Sequence, residues 1–284
     1  MLTGKTKLFA LLGHPVEHSM SPTMWNPALE DLGLDYVYVA CDVHPNNLKS
    51  AIEGVRALDI KGVNVTIPHK ENVIKYLDEI DPLASKMGAI NTIKNEHGYL
   101  KARNTDAGGA KKALLDAGCQ IKEKNILILG AGGASRALCF TLAEEANRIH
   151  LTDIDKEKAE KLAEEVKDKL DANIIGEKAT DTFLHKNIQN ADILINATPI
   201  GMYPKIDDIP ISKNLLHSDL FVFDVIYNPL KTKLRKEAAK IGCKTLGGLD
   251  MLVNQGVLAF EWWTGRKPNA ELMKKKIIDF LGIK

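Results

Sequence analysis

A glycine run that could seat a pyrophosphate, and a few lysines, acids and amides that could manage a proton, are the chemical signals in this 284-residue sequence. The run is Gly130-Ala131-Gly132-Gly133-Ala134-Ser135, directly after the apolar stretch 125–129 and before a helical pattern. In such a loop the first glycine permits a tight turn, and the second lets the backbone approach a pyrophosphate at a helix N-terminus. Ser135 stands where the fingerprint has its third glycine, small but a departure. Asp153 closes the next strand pattern, at the distance where an acid binds an adenosine ribose. A glycine turn that only lets a helix pack on a strand needs no such acid. Strand, loop, helix and acid agree, so a dinucleotide site is expected.

A nicotinamide dinucleotide implies hydride transfer, and a ketone reduced by hydride becomes an alkoxide that needs a proton. Lys70 is the candidate donor: the pattern puts it in the first turn of a helix, where the dipole opposes a cation and eases loss of its proton. A solvated surface lysine is the competing reading. Asp106 reads either as a helix N-cap or as a working acid. Gly108 and Gly109 just behind it cost up to about 1 kcal/mol each in a helix interior, which suggests close approach to this backbone. Asn64 and Thr66 alternate onto one face of a strand, and Asn91 and Asn104 are further polar candidates. Ser21 before Pro22 reads as an N-cap, whereas Ser19 has no such structural reason. Gln255 interrupts an apolar helix and is equally well a satisfied core amide.

The elements that must position these residues fall into two series. In the first third, strands are expected at 7–13, 36–42 and 62–67, with a helix opened by Ser21-Pro22 and stopped by Gly33, and another over 45–58. A helix follows from about Lys70, then a hairpin with strands 90–94 and 99–104 about residues 95–98, then a helix over 106–117. From residue 125 six strands are expected, at 125–129, 148–152, 173–176, 192–196, 220–224 and 243–246, mostly with helices between. Near-continuous apolar strands of this kind suit a parallel sheet covered on both faces, doubly wound around a dinucleotide. Residues 249–284 are helical, and they are expected to return to the first domain and make it discontinuous. The domains are therefore 1–106 with 249–284, and 107–248.

Composition narrows the function. Hydrophobic residues make up 45% and charged residues 26%, and 38 basic against 37 acidic side chains leave a net charge of +1. That balance offers no basic field for nucleic acid or acidic lipid. No stretch reads as a signal peptide or a membrane span. Four scattered cysteines read as reduced core thiols of a cytoplasmic protein, and the histidines suggest no metal.

Taken together, the strings HSMSP (18–22), GVNVTIPHK (62–70), GAINTI (88–93), NTDAGG (104–109), GAGGASRA (130–137), NATPIGM (196–202), DVIYNP (224–229) and GLDMLVNQG (248–256) resemble the shikimate dehydrogenase family, in family order over nearly the whole chain. The resemblance implies an α/β fold: a discontinuous N-terminal α/β substrate domain plus a Rossmann-type dinucleotide-binding domain with a doubly wound parallel sheet. It implies reversible reduction of 3-dehydroshikimate to shikimate, a step of chorismate and aromatic amino-acid biosynthesis. Ser19 and Ser21 are implied to hold the substrate carboxylate with help from Tyr227. Asn64, Thr66, Asn91 and Gln255 are implied to hold ring hydroxyls or the reacting carbonyl, with Lys70 and Asp106 as the catalytic pair. The cofactor would lie on Gly130, Ala131, Gly132, Gly133 and Ala134, with Asp153 near the adenosine and Val225 and Gly248 near the nicotinamide. NADP-specific members often read Asn-Arg-Thr where this chain has Asp153-Ile154-Asp155. An acid there favours a free ribose hydroxyl, while Lys156 and Lys158 could supply positive charge. NADP is the expected cofactor and NAD the alternative. The partner is a small molecule, and the assembly a monomer or homodimer. A quinate-oxidising branch that uses NAD and a non-catalytic dinucleotide sensor are the competing functions.

Overall fold

The computed structural model describes residues 2–282. The chain divides into two compact units, one of residues up to 105 together with those from 253 on, the other of residues 106–252.

The first unit runs β1 (Lys7–Gly13), α1 (Ser21–Asp31), β2 (Tyr36–Asp42), α2 (Leu48–Ala57), β3 (Gly62–Val65), β4 (Glu79–Ile80), α3 (Pro82–Met87), β5 (Thr92–Glu96) and β6 (Tyr99–Arg103). Its six strands lie in the order β2-β1-β3-β5-β6-β4. β1 pairs in parallel with β2 and β3, while β5 runs antiparallel to both β3 and β6. One apolar cluster gathers Ala10, Val63, Ile93 and Leu100 with Leu48, Ile52 and Val55 of α2. An aromatic stack supplies the rest of the core: Phe9 lies 4.7 Å from Trp263, and Trp25 lies 4.9 Å from Tyr38 and 5.1 Å from Phe260, between ring centroids. Phe260 and Trp263 come from the long helix near the C-terminus. Gly62 makes room for them, since a Cβ there would fall 2.4 Å from the Trp263 indole.

Three expectations for this unit need correction. No α-helix begins at Lys70. Lys70 lies in a turn, followed by a single 3-10 helix, Asn72–Tyr76. The chain is then drawn into the sheet, because the Asp78 carboxylate accepts from Leu100 N (2.7 Å) and from Arg56 (2.6 Å) and β4 pairs with β6. The dipole argument for Lys70 falls with that helix. Ser21 is not an N-cap: it is the first residue of α1, after Met20, and Ser19 Oγ accepts its backbone N–H at 3.2 Å. Ser19 thus has the structural role it was read as lacking. Asp106 is not an N-cap either, since the helix that follows β6 starts one residue earlier, at Thr105.

The second unit continues α4 (Thr105–Asp116), β7 (Asn125–Leu129), α5 (Gly133–Leu142), β8 (Arg148–Asp153), α6 (Lys156–Leu170), β9 (Ile174–Lys178), α7 (Asp181–Ile188), β10 (Ile193–Asn196), β11 (Phe221–Asp224), α8 (Lys233–Ile241) and β12 (Lys244–Gly247). The strand order is β12-β11-β10-β7-β8-β9, parallel throughout. β10 and β11 are buried at every position, as strands covered on both faces must be. The chain closes with α9 (Gly248–Thr264) and α10 (Ala270–Phe280). α9 is one continuous helix, so the return to the first unit falls inside it, after Leu252, and not before Leu249.

Candidate active site

In the first unit a hydrogen-bond relay joins several of the polar residues singled out above. The Tyr38 hydroxyl, near the Ser21 side chain, donates to Asn64 Oδ1 at 2.8 Å. Asn64 Nδ2 donates to Asn91 O and to Thr92 Oγ1, both at 3.1 Å. Both amide hydrogens of Asn64 are therefore spent inside the protein. Asn91 Oδ1 in turn accepts from Thr105 N (2.7 Å), Thr92 Oγ1 (2.9 Å) and Thr105 Oγ1 (3.1 Å). A buried side-chain oxygen thus fixes the first residue of α4, whose second is Asp106. Lys70 is tied to the same place through its backbone, because its carbonyl accepts Ile90 N at 2.9 Å.

The ends left over face outward from this relay. Asn91 Nδ2 and Thr66 Oγ1 have no hydrogen-bond partner among the described residues, although Asn91 is 3% exposed. A buried amide with its acceptor saturated and its donors open is built to meet a ligand's oxygen. Tyr38 and Thr92 were not anticipated as members of this set. Tyr38 reads as a core strand residue, and its burial raises its pKa far above that of a free phenol. Thr105 lies in a quoted motif, yet only the fold shows that it anchors on Asn91. Gln255 lies half-buried on α9.

In the second unit the glycine run sits at the carboxyl end of β7 and opens α5, whose N-cap is Gly132. Gly130 has φ +94° and lies against β10's continuation: a Cβ there would be 3.0 Å from Ala197 O. In front of Gly132 and Gly133, by contrast, an added Cβ would meet nothing within 4 Å, so the backbone face at the helix N-terminus is open. Ser135, at the third-glycine position, is fully buried and its hydroxyl donates to the carbonyl of Gly130. The departure from glycine thus locks the turn. A cleft of about 460 Å³ opens here, walled by Gly130–Gly132, Asp153, Ile154, Thr198 and Pro199.

Asp153 does more than face that cleft. Its Oδ2 accepts Ala131 N at 2.7 Å and its Oδ1 accepts Asp155 N at 2.9 Å, so it holds the glycine loop and its own turn together. The Ala131 N–H is consequently spent on the acid. Lys156 pairs with Glu160 (3.1 Å) and Glu177 (3.7 Å), and Lys158 with Asp155 (3.3 Å).

At the ends of β10 and β11, Asn196 Nδ2 donates to the buried Asp224 at 3.1 Å, and Asp224 also accepts from Ile226 N (3.1 Å) and Thr232 Oγ1 (2.7 Å). Burial raises the Asp224 pKa, against the pull of those three donors. The next residue, Val225, meets Gly248 so closely that a Cβ on the glycine would fall 1.8 Å from the Val225 carbonyl oxygen. Tyr227 follows, half-buried, its phenol pKa raised by desolvation. The open loop face, the cleft and the glycine cradle fit a dinucleotide: Gly132 and Gly133 would hold the pyrophosphate, Asp153 the adenosine end, and Val225 with Gly248 the nicotinamide end. Among the described residues no group of three or more His, Cys, Asp or Glu could hold a metal ion, and no helix is long and apolar enough to cross a membrane.

Residues 11–93 match the model of the shikimate dehydrogenase substrate binding domain, 110–222 that of shikimate / quinate 5-dehydrogenase, and 248–278 that of the shikimate 5'-dehydrogenase C-terminal domain. A protein of Methanocaldococcus jannaschii named shikimate dehydrogenase (NADP(+)) is 53% identical over 280 residues, covering 98% of this chain and 99% of its own. A crystal structure of a shikimate dehydrogenase in complex with NADP+ superposes with a TM-score of 0.93 at 50% identity, covering 99% of this chain and 98% of that one. A Listeria monocytogenes shikimate 5-dehydrogenase in complex with shikimate and NAD does so with a TM-score of 0.92 at 39% identity, covering 97% of this chain and 98% of that one.

Proposed function

The chain belongs to the shikimate dehydrogenase family, and from that premise we propose that Lys70 and Asp106 run its reaction, the reversible NADPH-dependent reduction of 3-dehydroshikimate to shikimate in chorismate and aromatic amino-acid biosynthesis. The observation that carries this assignment is the double anchoring around Asn91: Lys70 O holds Ile90, and Asn91 Oδ1 holds Thr105, the neighbour of Asp106. NADPH, when bound, supplies the hydride. The Lys70 ammonium offsets the charge that develops on the carbonyl oxygen and gives that oxygen a proton from Nζ. The Asp106 carboxylate is the second member of the catalytic pair. Ser19 and Ser21, with Tyr227, bind the substrate carboxylate. The open donors of Asn91 and Thr66, with Gln255, take ring hydroxyls. Asn64, its amide hydrogens already committed, acts through Asn91 as a positioning residue. A cytoplasmic location and a monomeric or homodimeric state belong to the same reading.

Steady-state turnover of shikimate and quinate, each with NADP and NAD, tests it. Shikimate with NADP should give the highest kcat/KM. Quinate turning over as fast as shikimate would move the chain to the quinate branch. Cofactor binding without turnover of either acid would make it a sensor.

A further inference from the structure

The dinucleotide cleft lies at the carboxyl ends of the second unit's strands. At the amino ends of the same sheet is another concavity, of about 420 Å³, between β7, β8 and α7. Asn125 pairs with Arg148 and Leu127 with His150, which puts all four on one face of the sheet. That face is the one α7 covers, because Leu127 shares a core with Leu184 and Ile188. α7 itself adds Lys186 and Asn187 to the wall, and Asn190 follows just beyond it.

Three cationic or protonatable groups, Arg148, His150 and Lys186, thus line one cavity, and none of its lining residues is a carboxylate. Elsewhere Lys49, Lys112, Lys124, Lys156 and Lys240 each pair with an acid. Arg148 and Lys186 form no ion pair among the described residues. The His150 ring lies 5.9 Å from Phe183, and its pKa is lowered by burial first and then by Arg148 and Lys186. Arg148 on its own strand and Lys186 on α7 are the charged groups facing it, since β7 contributes only Asn125, Ile126 and Leu127.

We propose that this concavity is a second, non-catalytic binding site for a phosphate monoester of a small organic molecule. Guanidinium and ammonium donors without a protein acceptor match phosphate oxygens, and such charge-assisted bonds are the strong ones. Side-chain amides at Asn187 and Asn190 add neutral polar contacts at the rim. A bare phosphate would leave most of the volume empty, and Leu127 and Ala191 bring apolar atoms to the lining. The site is independent of the reaction assigned above.

The test uses the NADP-saturated enzyme with labelled histidines, so that the cofactor cleft is closed to the probe. Phenyl phosphate should move the resonance of His150 alone among the eight histidines, saturably, and raise its pKa, because a bound anion offsets the two cations. Inorganic phosphate should bind more weakly. The Arg148→Ser/Lys186→Ser variant should weaken phenyl phosphate about tenfold or more, with kcat for shikimate unchanged. No response of His150 in the wild type, or an undiminished one in the double variant, would overturn the proposal. Benzoate binding as tightly as phenyl phosphate would overturn its phosphate class.

Discussion

In the proposed reaction Lys70 has two tasks at one oxygen: to offset the charge a delivered hydride leaves there, and to give that oxygen a proton. Lys70→Ala should therefore lower kcat by about 10²–10⁴, the scale of a positioned acid–base group, with a smaller change in substrate KM because Ser19 and Ser21 still hold the carboxylate. Asp106→Asn should also lower kcat. Since one group serves the other, the double variant should be little worse than Lys70→Ala alone; multiplicative losses in steady-state kinetics would show two independent roles. Asp153 carries a different expectation now that its oxygens are known to hold Ala131 N and Asp155 N. Asp153→Ala should raise the NADP-to-NAD preference by removing a negative charge, and should weaken both cofactors by loosening the glycine loop. Fluorescence titration of each cofactor checks this, and an unchanged ratio would mean the acid faces only the protein. At this scale the sequence was a partial guide. Residue types named the candidates Asn64, Asn91 and Thr66, but not which of their atoms were already bonded, since that depends on Tyr38 and Thr105 arriving from other segments and on Thr92 beside Asn91.

At the scale of elements, local pattern was a good guide wherever burial followed it. The parallel strands of the second unit were legible within a residue or two because an apolar run bounded by polar residues has one stable use in such a sheet. The helix expected from Lys70 failed because two long-range bonds from Asp78, to Arg56 and to the Leu100 backbone, draw the chain into the sheet instead. Periodicity over one segment cannot register a partner twenty residues away. The glycines separate two uses of the same residue. Gly248→Ala should cost about 1–3 kcal/mol of stability, as overpacking against backbone does, because the new methyl meets the Val225 carbonyl. Gly132→Ala meets nothing in the protein and should leave the melting temperature near that of the wild type, yet weaken NADP by filling the open loop face. Thermal melts with and without NADP distinguish the two. A Gly132→Ala protein that melts early would show that the loop needs glycine for its own fold.

For the whole molecule, the decisive fact is that the first unit is made from both ends of the sequence, with Phe260 and Trp263 closing the stack on Phe9 and Trp25. Composition could not reveal this; the helical, strandless run after residue 249 could, and did suggest a return to the first domain. The same arrangement sets an order of events on the ribosome. Chains emerge N-terminus first and domains fold as units. The second unit, continuous in sequence, is complete once residue 252 is out, while the first unit, begun earlier, still lacks Phe260 and Trp263 of its aromatic stack. A nascent chain arrested when residue 252 has just left the ribosome should therefore resist protease over 106–252 and be cut readily within 7–103. The unit that is synthesised first is the one that finishes last, and its apolar β1–β2 face is what a chaperone would meet in the interval.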